Sequence, residues 1–260
     1  MKSLKDYICE SMFDGEDIET NVIDSEIIDW IAGVYKINTS HLKISKKLNK
    51  DGKCVIDCNT DVRPKNPSKI ASLTNGAFVW GEVKGNFDCN DCTSLTSLEG
   101  APKEVGSDFD CNDCTSLTSL KGAPEKVGGH FDCSYCESLT SLEGAPKIVK
   151  KAFHCIDCES LTTLEGAPKE VGGDFCCSYC YSLTSLEGAP KIVKKNFYCV
   201  DCYSLTSLEG APKEVGGDFC CHYCKSLTSL DGISKKIGGN IYCHGCAKNF
   251  FEDIKKAKKS

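Results

Sequence analysis

A Cys-x-x-Cys pair recurs eight times at a constant interval of 22 residues, starting at Cys89, Cys111, Cys133, Cys155, Cys177, Cys199, Cys221 and Cys243. A fixed period in this range means that one supersecondary unit is stacked on itself. A single unit has too few apolar side chains to bury a core and completes it only against its neighbours. The period predicts a solenoid, whose function resides on a surface.

Within a unit, two spacings are superposed. Phe109 and Cys111 alternate with Asp108 and Asp110, the period-2 pattern of a short strand with one face inward. Cys114, Leu117, Leu120 and Ala123 then recur every third residue, which indicates a threefold extended or 3₁₀ path. The Gly122-Ala123-Pro124 run excludes a regular helix there. Eight such layers, spaced by strand pairing, would give a rod or shallow arc about 35 Å long.

Before the array, Ile18, Val22, Ile27, Ile28, Ile31 and Val34 suit an amphipathic helix ending near Gly33. Two alternating runs, Leu42 to Ser45 and Cys54 to Asp57, flank the turn signal Asn49-Lys50-Asp51-Gly52 and predict a hairpin. Pro64 and Pro67 break the chain, and residues 70–80 resemble a degenerate repeat suited to close one end of a stack. The expected organisation is an N-terminal helix and hairpin element at 1–62, the solenoid at 63–246 and a basic cap or tail at 247–260, with Phe250, Phe251 and Ile254 as a short cap.

The chain carries 21 cysteines and a formal charge of -6. No run approaches the roughly 18 apolar residues of a membrane span, and Met1 to Asp6 lacks the apolar core of a secretory signal. A cytosolic setting, with reduced thiols and no membrane partner, is the expectation. The mild acidic balance argues against nucleic acid, which needs clustered Lys and Arg.

Three chemistries compete for the cysteines. The spacing Cys-x2-Cys-x18-Cys-x2-Cys satisfies the sequence rule for zinc, and disulfides are a further alternative. The structural reading places each first Cys inward on its strand and each second Cys where the chain turns off it, both as reduced, buried groups. All eight units share one layout, whereas four-ligand sites would pair units off, so the structural reading is preferred and no metal or other cofactor is expected. No Ser-His-Asp spacing, phosphate-binding glycine loop or paired carboxylate is recognised, and the chain is not expected to be an enzyme.

Specificity then belongs to the positions that vary among units. Outward on the strand these are Asp88, Asp110, Asp132, His154, Cys176, Tyr198, Cys220 and Tyr242; before the second Cys they are Asp91, Asp113, Tyr135, Asp157, Tyr179, Asp201, Tyr223 and Gly245. The strand face runs from an acidic end to one rich in Tyr, a residue favoured at interfaces. Asp110, Asp132, His154, Tyr198, Tyr242, Tyr135, Tyr179 and Tyr223 are the candidate contacts to a protein partner, with drift among duplicated units as the alternative. Lys150-Lys151 and Lys194-Lys195 are read as a solvated edge.

The placement of the second Cys before Leu-Thr-Ser-Leu resembles the cysteine-containing class of leucine-rich repeats, over roughly residues 85 to 246. That resemblance implies a β-rich solenoid with 22-residue units, short parallel strands and non-helical convex segments, preceded by a small α+β element. In that class the cysteine replaces a turn Asn, its thiol bonds buried backbone, and the concave strand face serves as a protein-binding scaffold. The run Ser-Leu-Thr-Ser-Leu-Glu-Gly-Ala-Pro-Lys-Glu-Val-Gly-Gly-Asp-Phe is similar to leucine-rich-repeat proteins of tailed phages, including crAss-like gut phages, which would place the chain in a host cytoplasm. Met1 to Glu10 is similar to the capsid-targeting peptide of T-even-type phage internal proteins, cut after Ile-x-Glu. Ile8-Cys9-Glu10 would imply cleavage between Glu10 and Ser11 and packaging into a virion. The competing reading is an amphipathic helical start in which Leu4, Ile8 and Met12 dock on the body.

Overall fold

The computed structural model describes residues 20–45 and 49–250. The proposed processing site at Glu10 and Ser11, the docking of Leu4, Ile8 and Met12, and the cap residues Phe251 and Ile254 lie outside them.

The helix predicted from the isoleucine spacing is α1, Thr20–Val34. The hairpin forms from β1 (Leu42–Ile44) and β2 (Cys54–Cys58), antiparallel with Leu42 opposite Cys58. Strand β2 then pairs in parallel with β3 (Phe78–Val83), so the N-terminal element and the repeats share one sheet. Fifteen two-residue strands follow, from β4 (Phe87–Asp88) to β18 (Ile241–Tyr242).

Each coil contributes two strands. Phe-x strands such as β6 (Phe109–Asp110) stack in register into an eight-stranded parallel sheet. Strands such as β5 (Glu104–Val105) extend a ten-stranded sheet in which only β1 runs antiparallel. Its nine parallel strands mark about nine stacked turns of a β-solenoid. The Glu-Val strand was not anticipated: Glu104 is exposed and Val105 buried, and two residues show too little alternation to register as a strand.

Between the sheets lies a core of repeated columns. One coil supplies Val127, Phe131, Cys133, Cys136, Leu139 and Leu142, all fully buried. The phenylalanines stack ring on ring from Phe87 to Phe219, with centroids 5.0 to 5.6 Å apart. An end of such a column would expose a ring face. The N-terminal end is closed by Trp80, 6.1 Å from Phe87 and edge-on, which packs in turn on Tyr35 and Phe78. The Tyr35 hydroxyl donates to the Leu73 carbonyl at 2.8 Å and fixes the foot of α1 to the cap.

A second set of columns satisfies backbone that would otherwise be half buried. The residue before each Phe accepts, through its side chain, the N–H of the same position one coil on. Asp108 N–H donates to Asn86 Oδ1, His130 N–H to Asp108 Oδ1 and Ala152 N–H to His130 Nδ1. The series resumes with Asn196 N–H on Asp174 Oδ1, Asp218 N–H on Asn196 Oδ1 and Asn240 N–H on Asp218 Oδ1. Ala152 has no acceptor and interrupts it.

Candidate functional site

The two cysteines of each Cys-x-x-Cys pair take two distinct positions in the coil. The first thiol points inward and donates forward to the next coil, as from Cys89 to the Asp110 carbonyl at 3.2 Å and from Cys133 to the His154 carbonyl at 3.3 Å. The second reaches back 25 residues: Cys114 donates to the Cys89 carbonyl, Cys158 to that of Cys133 and Cys202 to that of Cys177, at 3.2 to 3.3 Å. Burial pushes the thiols of Cys111, Cys133, Cys155, Cys158 and Cys180 well above the ordinary cysteine range. A protonated thiol can donate, whereas a thiolate would lose both solvation and its role as donor.

Between the two cysteines the chain leaves the strand through a residue of positive φ. That residue is Asp91, Asp113, Asp157 or Asp201 in some coils, at 54 to 59°, and Gly245 at 73° in the last. In three coils it is Tyr135, Tyr179 or Tyr223, at 58, 62 and 57°. The turn keeps each N–H in the ladder, Tyr179 donating to the Val200 carbonyl at 2.8 Å and Tyr223 to that of His244 at 2.9 Å. Asp and Gly accept this left-handed geometry readily; a bulky aromatic does so at a cost on the order of 1 kcal/mol. The three rings are 45, 41 and 46% exposed and recur on alternate coils.

The outward strand column stands beside this turn. Asp88, Asp110 and Asp132 pair in register on consecutive strands, followed by His154, Cys176, Tyr198, Cys220 and Tyr242. Of these Tyr242 is exposed, Cys220 is buried and the others are half buried. Arg63 Nε lies 3.2 Å from Asp88 and His154 Nδ1 3.6 Å from Asp132, so an arginine and a histidine flank the ends of the acidic run. At Asp132, burial opposes ionisation, but hydrogen bonds from His154 and Ser134 outweigh it and lower the pKa. Asp110, between two carboxylates, is raised to about 6, first by burial and then by Asp132 and Asp88.

A pH dependence follows. The folded state holds a proton on Asp110 up to about pH 6, whereas the unfolded chain releases it near 3.9. Stability from this group is therefore complete at low pH and is lost as pH rises through the folded value. Two units correspond to about 3 kcal/mol, and partial solvent access reduces this to roughly 1–2 kcal/mol. Asp110→Asn keeps an acceptor for the Asn112 N–H, now 3.0 Å away. It should raise stability by about that amount at pH 7.5 and leave it unchanged near pH 4, as read from urea unfolding at the two pH values. Destabilisation at pH 7.5 would contradict the electrostatic account.

Two clusters on this side bring in Tyr181, Tyr203, Lys225 and His244, which were not singled out from the sequence. Tyr181 and Tyr203 follow the second Cys of consecutive coils, 5.1 Å apart, and Lys225 Nζ lies 4.2 Å over the Tyr203 ring. Comparison of that column, which runs Thr, Thr, Glu, Glu, Tyr, Tyr, Lys from Thr93 to Lys225, could have found them. His222 and His244 lie with ring centroids 3.9 Å apart, tilted by 44°, beside Tyr242 and Tyr223. Burial, then the neighbouring His244, lowers the pKa of His222, which favours the neutral ring.

The fold and this surface define a β-solenoid with aromatic and acidic side chains presented in columns along one sheet. Comparison with protein-family models, curated proteins and solved structures gives no match. No helix among the described residues is long and apolar enough to cross a membrane.

Proposed function

We propose that the chain is a non-catalytic scaffold that binds another protein through the eight-stranded sheet and its flanking turn. The observation that carries this reading is the tyrosine at positive φ in three alternate coils. Tyr135, Tyr179 and Tyr223 stay 41 to 46% exposed and lie outside the core, so no core burial offsets the backbone cost, while neighbouring coils use Asp or Gly at the same place. Exposed tyrosines of this kind serve as interface anchors, each worth up to about 2 kcal/mol or more in binding. Tyr242 at 40% and Tyr203 at 37% exposure extend the aromatic zone toward the C-terminal coils, and Asp110, Asp132 and His154 add a polar zone at the other end. The resemblance to cysteine-containing leucine-rich repeats supports the same use of a strand face, and the phage resemblance would make the partner a host protein.

Tyr179→Gly combined with Tyr223→Gly tests this without disturbing the turn, because Gly245 already occupies the equivalent position. The expected result is a protein retained by the wild type in affinity capture, with binding weakened at least tenfold in the double variant and thermal unfolding at or above the wild-type value. Undiminished binding of that protein would remove the tyrosines from the site.

A further inference from the structure

Away from the tyrosines, the Gly-Ala-Pro corner carries two charged columns of opposite sign. Before each glycine stands Glu143, Glu165, Glu187, Glu209 or Asp231; after the next two residues of the corner stands Lys147, Lys169, Lys191, Lys213 or Lys235. All ten are exposed. Between them Ala167, Gly188, Ala189, Pro190, Gly210 and Ala211, with the lysine stems, line an open groove of about 380 Å³. A Cβ at Gly188 would overlap the backbone of Glu165, and one at Gly210 that of Glu187, so the acidic column abuts the glycine column directly.

The first coils show that single-sign columns are not imposed by the fold. There the same positions alternate, Glu99 with Lys121 and Lys103 with Glu125, and adjacent coils neutralise each other through Lys121 with Glu99 at 3.5 Å and Lys147 with Glu125 at 3.3 Å. From Glu143 and Lys147 onward both columns keep one sign over five coils. Among the described residues Lys169, Lys191, Lys213, Lys235 and the five acids form no ion pair. Like charges then stand one coil apart, about 4.8 Å, and repel.

We propose that this corner is a self-association surface on which a second copy of the chain docks in parallel. Any partner must present charges at the coil rise, and a second copy does so by construction. Symmetry selects the orientation. A two-fold axis parallel to the solenoid lays the acidic column of each copy over the lysine column of the other, coil against coil. A two-fold axis across the solenoid would lay acid on acid and lysine on lysine. The small side chains of the groove permit the close approach. The ridge is only about 20 Å long, short of what a standard interface of roughly 1,200 Å² or more requires, so the dimer is weak, in the micromolar range or above, and dissociates with salt.

The test uses two triple variants of the full chain. Lys169→Glu, Lys191→Glu and Lys213→Glu make both columns acidic; Glu165→Lys, Glu187→Lys and Glu209→Lys make both basic. Sedimentation of the wild type at about 20 to 500 µM in low salt should show a dimer lost at high salt. Each variant alone should remain monomeric, and an equimolar mixture should restore the dimer, which also shows that both variants fold. Carbodiimide cross-linking of mixed light and heavy wild-type chains should join Lys191 to Glu187 or to an acid of an adjacent coil. A wild type monomeric throughout, a mixture that does not associate, or cross-links joining opposite ends of the array would each overturn the proposal. Loss of dimerisation in the tyrosine double variant would instead assign self-association to the other sheet.

Discussion

Phe153→Ala is expected to lower the unfolding free energy by about 3–5 kcal/mol, the cost of deleting a fully buried aromatic ring from a core that relaxes only in part. Phe153 is fully buried, with Phe131 at 5.0 Å on one side and Phe175 at 5.3 Å on the other. Its removal opens a gap in the middle of a column whose rings otherwise touch only their neighbours. In a stack where each coil is stabilised by the adjoining ones, loss at the centre uncouples the two halves. Urea unfolding should therefore shift to lower midpoint and broaden or split, whereas the same change at Phe219, near the end of the column, should shift the midpoint with less loss of cooperativity. Equal, sharp transitions for both variants would contradict a chain held together coil by coil.

Much of this architecture could be read from the sequence because repetition converts one weak signal into eight. Phe109 and Cys111 alone would not define a strand; the same pair at a 22-residue interval defines a column. The inward cysteines, the extended segment through Leu117 and Leu120, the N-terminal helix and the hairpin all follow from spacing that survives in single residues. The second strand of each coil escaped because Glu104–Val105 offers only one inward side chain, and its pairing partners are a full coil away. The side-chain ladder through Asn86, Asp108 and His130 escaped for a different reason. Asp, Asn and His before a Phe look like solvated polar residues, and their acceptor role depends on a backbone N–H 22 residues on.

The candidate surface was legible in part. Varying positions identified Tyr135, Tyr179 and Tyr223, but not why they are informative, since the positive φ at that turn is visible only in the backbone. Nor could single-residue reading separate the two faces of the charge distribution. The chain as a whole is mildly acidic, yet the coils from Glu143 onward divide their charge into an acidic and a basic column on either side of one corner.

The central claim is that the cysteine columns are reduced structural thiols, most of them donating to a carbonyl of a neighbouring coil. Thiol reactivity and metal content of one preparation, purified under reducing conditions, test it most directly. Among the described cysteines only Cys176 and Cys246 are partly exposed, and Cys246 is pushed up to about 11, by burial first. The native protein should therefore be modified slowly, with those two leading, because the other columns are buried. This includes Cys114 and Cys224, whose pKa is lowered by hydrogen bonds from neighbouring thiols but which reagent cannot reach in the folded stack. Unfolding in chelator-free denaturant should release all 21 thiols and no stoichiometric metal. Several equivalents of zinc or iron, or a substantial shortfall in free thiols, would contradict the account and make the cysteine columns a metal or disulfide framework.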